Sequence, residues 1–321
     1  MRTIGALVMV AALAACGSGA TPVATITSPT TGPTTGEPGQ PSTTATADPT
    51  TTVASPPSTT APAQTTSPPT TVPQATGLTV FFLSDQGGNE ARPGPFLIPV
   101  HRTVPATTGV ARAAIEELLA GPERTEASAG IDTAVPGTTL LLGVNIADGM
   151  ATVDLTRDFE SGGGTTSMTA RLAQLVYTVT QFPTVDAVEL LLDGEPVEVF
   201  SAEGIVIDGP LTREAFLDYV PQIMVETPGW GGTLGNPGRI AGIAAVFEAV
   251  FQVRLADAEG EVLYEDFAMT TEGQGWGTFD TTLEYTVDEP QMGTLRVWED
   301  SPEDGSETGV SELPVEVAPP G

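Results

Sequence analysis

The sequence predicts an α+β unit followed by an all-β sandwich, both carried behind a disordered Thr/Pro-rich tether. Three observations predict this architecture. Between residues 17 and 76, 20 of 60 residues are Thr and 12 are Pro, and only Glu37 and Asp48 are charged, so the segment lacks the apolar side chains that offset the entropy of ordering. From Gly77 to about Pro221, strand-like runs alternate with runs of helical period. Beyond Pro221 no helical run of useful length occurs, and short strands recur between turn signals, as in a sandwich.

Residues 1–15 read as a targeting segment. Arg2 supplies a positive start, Ile4 to Leu13 is an apolar run, and Leu13-Ala14-Ala15-Cys16 follows at once. This resembles a bacterial lipobox, and the resemblance implies lipid attachment to the Cys16 sulfur with cleavage before Cys16. A conventional secretory signal cut at Ala12 and Ala14 is the alternative, but the chain's one cysteine falls at the lipobox position. The apolar run is too short to span a bilayer, which needs about 20 residues, and acylation by more than one chain gives stable anchoring. Residues 16–76 then form the tether, stiffened by proline toward polyproline II, with an extended limit of about 190 Å at ~3.1 Å per residue. Its Thr, Ser and Pro content also suits O-glycosylation.

The α+β unit spans residues 77–211. Leu78 to Leu83 is a short apolar strand; Val110 to Leu119 sets Val110, Ala114, Ile115 and Leu118 on one helical face, with Gly121-Pro122 as a stop. Thr139 to Ile146 and Met150 to Leu155 form a hairpin around Asp148-Gly149, a strong turn signal. In Ser167 to Phe182, Met168, Leu172, Leu175, Val176 and Val179 recur at three- and four-residue steps and predict a second helix. Val185 to Leu192 is a strand that turns at Asp193-Gly194 into Val197 to Phe200.

The sandwich spans residues 220–318, with the division between the two units expected between about Asp208 and Gln222. Seven strands are expected: Ile223 to Glu226, Arg239 to Ile243, Val246 to Leu255, Glu261 to Met269, Phe279 to Thr286, Gly293 to Glu299 and Pro314 to Val317. Without a disulfide, packing alone holds it, and Trp230, Phe247, Phe251, Phe267, Trp276, Phe279 and Tyr285 are the candidate contributors.

Composition removes whole classes of chemistry. All 11 basic residues are arginine, so lysine-based Schiff-base, Walker and general-base mechanisms are excluded, and one His with one Cys cannot furnish a zinc site. The formal charge is −30, of which −29 lies on Gly77 to Gly321, a field that repels nucleic acid and anionic lipid. Gly162-Gly163-Gly164 precedes the second helix where an anion could sit, but no lysine follows, and a flexible connection with Thr165 or Thr166 as cap is simpler. His101 lacks a Gly-x-Ser-x-Gly partner motif. The carboxylate pairs Asp154 with Asp158 and Glu116 with Glu117 lie at positions expected to face solvent. Glu299, Asp300, Glu303, Asp304 and Glu307 lack calcium-loop spacing. No cofactor, metal or catalytic residue is therefore assigned.

The α+β unit carries Leu118-Leu119-Ala120-Gly121-Pro122, Val135-Pro136-Gly137-Thr138, Ala151 to Phe159, Arg171 to Pro183 and Leu190-Leu191-Leu192-Asp193-Gly194. In these it strongly resembles the GerM sporulation and spore germination domain over roughly Leu78 to Leu211. The sandwich, through Pro237, Arg239 to Ala244, Val246 to Ala249, Trp276 to Phe279 and Glu299 to Ser306, is similar to the immunoglobulin-like domain that often follows GerM domains. The resemblance implies a GerM-like, ring-building-like α+β fold, an immunoglobulin-like sandwich, and a non-catalytic assembly role. The lipobox, tether and absence of lysine together resemble an actinobacterial envelope lipoprotein. The expected setting is the outer face of the cytoplasmic membrane, anchored through Cys16, with extracytoplasmic envelope proteins as partners, no nucleic acid, and homo-oligomerisation left open. A cell-wall glycan (peptidoglycan) binding module, stacking sugars on Trp230, Trp276 or Trp298, is the alternative.

Overall fold

The computed structural model describes residues 75–88 and 92–320; the expected signal peptide, Cys16 and nearly all of the tether lie outside the described residues. The first elements are β1 (Ala75–Ser84) and β2 (Phe96–Pro105), antiparallel over ten pairs from Ala75 opposite Pro105 to Ser84 opposite Phe96. Strand β2 is absent from the sequence prediction because Pro99 argues against a central strand. It is tolerated because β1 and β2 form a two-stranded sheet.

Next come α1 (Val110–Ala120), α2 (Arg124–Ser128), β3 (Leu141–Ala147), β4 (Met150–Leu155), α3 (Thr165–Val179), β5 (Ala187–Leu192) and β6 (Glu195–Pro196). The sheet order is β3-β4-β5-β6. Helix α3 is the crossover between parallel β4 and β5, and the type of turn anticipated at Asp148-Gly149 joins β3 to β4, with φ of 51° and 80°. Helix α1 buries Ala111, Ala114, Ile115 and Leu118, as its spacing predicts. Helix α2 was not anticipated, since five residues are too few to show a period; a capping box between Glu123 and Glu126 starts it. Helix α3 is capped by Gly164 without a side-chain hydrogen bond, not by Thr165 or Thr166. Thr165 is already helical, and its hydroxyl donates to Glu203 at 3.1 Å. Two short strands, β7 (Val199–Phe200) and β8 (Ile205–Val206), close this part.

Buried polar residues on α3 have a defined task. Gln174 and Thr178 are fully buried, and with Gln181 they serve the outer edge of β1. Phe81 N–H donates to Thr178 Oγ1 (3.1 Å), Gln174 Nε2 to the Phe81 carbonyl (3.1 Å), and Thr79 N–H to Gln181 Oε1 (2.8 Å). Side chains thus replace the missing neighbour strand. Arg102 (6% exposed) and Glu126 (3%) form a buried ion pair below the Phe82 ring.

The second part contains β9 (Ile223–Thr227), β10 (Thr233–Leu234), β11 (Gly238–Ala244), β12 (Val250–Asp257), β13 (Val262–Met269), β14 (Gly277–Leu283), β15 (Gln291–Asp300) and β16 (Glu307–Val317). A three-stranded sheet β14-β11-β9 and a five-stranded sheet β10-β16-β15-β12-β13 share a core built on Phe251, Phe279, Leu255, Leu295 and Val315. The strand expected from Val246 begins only at Val250, because Glu248 and Ala249 adopt left-handed φ of 55° and 61°. That turn leaves Phe247 53% exposed, and Phe267 is 56% exposed on the strand face opposite buried Ala268. Neither is a core residue, while Phe251, Phe279 and Tyr285 are.

The two cores meet at β9. Met224 packs into the first core, and its neighbours Ile223 and Val225 pack into the second. Backbone bonds reinforce the seam: Trp230 N–H donates to the Pro99 carbonyl (2.8 Å) and His101 N–H to the Trp230 carbonyl (2.9 Å). Arg213 crosses it, stacking 4.6 Å from the Tyr177 ring centroid and donating to both Glu226 oxygens at 2.9 Å.

Candidate functional site

A site for protein contact begins with an edge that the fold leaves open. Strand β3 ends its sheet, pairing only with β4 among the described strands. Its neighbourhood holds Leu140 (62% exposed), Leu142 (49%) and Ile146 (38%). From Thr133 to Ala147 no residue is ionisable, in a molecule rich in acids. Several other edges are blunted in familiar ways. Strand β13 carries Glu265 and Asp266, β9 carries Glu226 and β14 carries Asp280; β6 and β10 are two residues long, and β1 is served by α3.

Hairpin geometry orients the backbone of β3. A two-residue turn makes Ala147 and Met150 the hydrogen-bonded pair, so pairing alternates from there, and Val144 and Ile146 turn their N–H and C=O groups away from β4. A register shift between Leu141 and Gly143 sets Leu142 out of the ladder.

Beside this strand lies an open groove of about 950 Å³. Its walls are the C-terminal half of β3, the first turn of α1 at Val110, and Phe182 and Pro183 from the α3–β5 connection. Asp148 and Asp186 stand at one end, and neither carboxylate has an ion-pair partner among the described residues. Gly149 must be glycine: with φ at 80°, a Cβ would lie 2.6 Å from Asp186 Oδ2. Arg112 also lines the groove, paired to Glu116 at 3.4 Å.

The residues singled out from sequence are placed as follows. Cys16 lies outside the described residues. In the glycine run, Gly162 and Gly163 have positive φ, and Arg171 takes the local carbonyls: it donates to Phe159, to Ser161 (3.1 Å) and to Gly162 (3.3 Å). Arg171 is only 2% exposed, and through these bonds it serves as a latch for this loop; burial lowers its pKa. His101 sits in β2 with Thr103 Oγ1 3.4 Å from Nε2; burial, then the charge of Arg102, hold its pKa below the usual value. Asp154 accepts from Gly194 N–H (2.9 Å), Glu117 approaches Arg102 (3.5 Å), and Asp158 is exposed.

The acidic run is divided among separate partners. Glu299 accepts from Phe247 N–H and Gln222, Asp300 from Trp298 Nε1 (3.1 Å), Asp304 from Ser306 (2.7 Å), and Glu307 pairs with Arg296 at 2.5 Å. Of the three tryptophans, Trp298 is buried and Trp230 and Trp276 are half-buried. Trp298 is 5% exposed with Arg254 and Arg296 over its ring, Trp276 packs on the first core near Arg92, and Trp230 packs between the cores. Sequence reasoning found the β3–β4 hairpin but not the open edge or Asp186. Pairing order is a tertiary property, and Asp186 reaches the turn only because β5 lies parallel to β4.

Two family models match the chain. Residues 79–198 match the model described as sporulation and spore germination, and residues 222–306 match the immunoglobulin-like domain of bacterial spore germination. Among solved structures, the first GerMN domain of the sporulation protein GerM from Bacillus subtilis aligns with a TM-score of 0.36 and 19% identity, covering 43% of this chain and 98% of that one. The tandem GerMN domains of the same protein align with a TM-score of 0.37 and 16% identity, covering 66% of this chain and 62% of that one. No curated protein matches the chain. The chain thus carries a GerM-type sporulation and spore germination domain followed by an immunoglobulin-like domain of the bacterial spore germination kind.

Proposed function

We propose that this chain is a lipid-anchored extracytoplasmic protein whose two folded domains act together as a non-catalytic assembly module for envelope proteins. The observation that carries the reading is the tandem of matched domains, joined at a shared strand and presenting an open, uncharged sheet edge. The lipobox at Leu13 to Cys16 supports the anchor, and the Thr/Pro segment supports presentation at a distance from the membrane. Among the described residues no helix is long and apolar enough to cross a membrane, so the reading assigns membrane attachment to the lipid on Cys16.

With −29 on the folded part, a basic or neutral partner surface is favoured, and association slows as salt screens the attraction. Three measurements test the reading. Cys16→Ser is expected to release the protein from the membrane fraction or leave it unprocessed, and detergent-dependent membrane retention of a processed mutant would remove the anchor. In-cell crosslinking is expected to yield an envelope protein. Turnover of a cell-wall substrate that one carboxylate substitution abolishes would overturn the non-catalytic role.

A further inference from the structure

We infer that the free edge of β3 and its adjoining groove receive an extended, basic segment of a partner protein, which adds to the sheet as a fifth strand. The inference rests on the assembly reading above and names its surface.

Three observations point to this occupant. Val144 and Ile146 turn their backbone donors and acceptors outward, so an added strand gains main-chain hydrogen bonds. Leu142 and Ile146 are exposed along the same strand, and Leu140 is exposed immediately before it. Burying them against alternate apolar side chains of the incoming segment supplies the hydrophobic contribution.

The third observation is electrostatic. The strand is uncharged, whereas the end of its groove holds two carboxylates, Asp148 and Asp186, that have no ion-pair partner among the described residues. An arginine or lysine placed two or more positions along the incoming strand meets that end, and the −29 of the folded part draws such a segment in. An acidic segment, or a second copy of this chain, is opposed by the same field. The inner surface of the groove, with Val110, Val144 and Phe182, suits an aliphatic side chain and not another ionised one. Strand addition also explains why this edge differs from the others. Acids on β9, β13 and β14 would have to be desolvated beside a new strand, whereas β3 places none there.

The test uses the whole chain in detergent and a short fluorescent peptide alternating Val with Arg. Two controls accompany it: a peptide with Glu in place of Arg, and one with alternate amides N-methylated so that it cannot pair. The Val/Arg peptide is expected to bind with an affinity that falls as salt rises, and neither control is expected to bind. Hydrogen exchange at Val144 and Ile146 is expected to slow when the peptide is added, a readout that needs no variant. Asp148→Asn keeps a residue suited to the left-handed turn; combined with Asp186→Asn it is expected to weaken binding by about three- to tenfold. Ile146→Pro removes an outward N–H without touching the β4 ladder and is expected to abolish binding.

Equal binding of the Glu peptide, or unchanged exchange at Val144 and Ile146, would overturn the inference. Protection of β3 that rises with protein concentration and with salt, in the absence of peptide, would assign the edge to a second copy instead. A crosslinked envelope partner that still binds the Ile146→Pro chain would remove this surface while leaving the assembly reading intact. Peptide binding without any envelope partner would do the reverse.

Discussion

Glu126 accepts from three sides: Arg102 through both oxygens, including 2.6 Å to Nη2, and Glu123 N–H at 2.7 Å. Removing it leaves a buried guanidinium facing the Phe82 ring with only its bond to the His101 carbonyl (3.2 Å) and the longer contact to Glu117 (3.5 Å). Glu126→Ala is therefore expected to cost about 3–5 kcal/mol in urea unfolding, since breaking a buried pair leaves an uncompensated charge. His101 carries a pH signature. Burial and Arg102 depress its folded-state pKa, so below about 6.5 the unfolded chain takes up a proton that the folded chain resists. The contribution to stability is present above that pH and is lost as pH falls. Comparing the unfolding free energy at pH 7.5 and 5.5, His101→Gln is expected to lose less stability on acidification than the parent. Equal losses would show that the ring is not desolvated.

At the scale of elements, α3 shows what a periodic pattern conveys and what it hides. Its apolar stripe was legible because Met168, Leu172, Leu175, Val176 and Val179 recur at helical spacing, and they are buried. Gln174 and Thr178 are buried too, on the side that meets the edge of β1, and no spacing rule announces that a polar side chain will complete a sheet. Gln174→Leu is expected to leave the Phe81 carbonyl and the Ala134 N–H without partners, at about 1–3 kcal/mol for each, measurable in urea. The β3–β4 hairpin was legible from Asp148-Gly149, whereas β2 was hidden by Pro99. Phe247 and Phe267 misled because an aromatic in a strand-like run does not reveal which face it takes. Of the proposed interaction site, the turn and the uncharged run were readable. The groove was not, because it assembles from α1, β3 and the α3–β5 connection.

For the whole molecule, the seam decides whether two domains behave as one. Arg213 ties α3 to β9 through Tyr177, Thr180 and Glu226, and β9 feeds both cores. A Gly77 to Gly321 fragment is expected to melt in a single transition. Arg213→Ala, which removes the guanidinium from both the ring and the carboxylate, is expected to separate it into two, detectable by calorimetry. A single unaltered transition would mean that the backbone bonds at Trp230 suffice. The division proposed between Asp208 and Gln222 is tested by expressing residues 77–211 and 220–318 apart, each of which is then expected to melt cooperatively.

The pairing of β1 with β2 has a mechanical consequence. The Thr/Pro segment leads directly into Ala75, where the ten-pair ladder begins. A pull on the chain there, directed along the axis of β1, meets the ladder lengthwise, so its bonds share the load in shear instead of opening singly from one end. The α3 side chains bonded to Thr79 and Phe81 add a second line of resistance. The point at which the Thr/Pro segment joins the fold is thus also the part of it best arranged to bear tension, the load that the proposed anchor at Cys16 would impose.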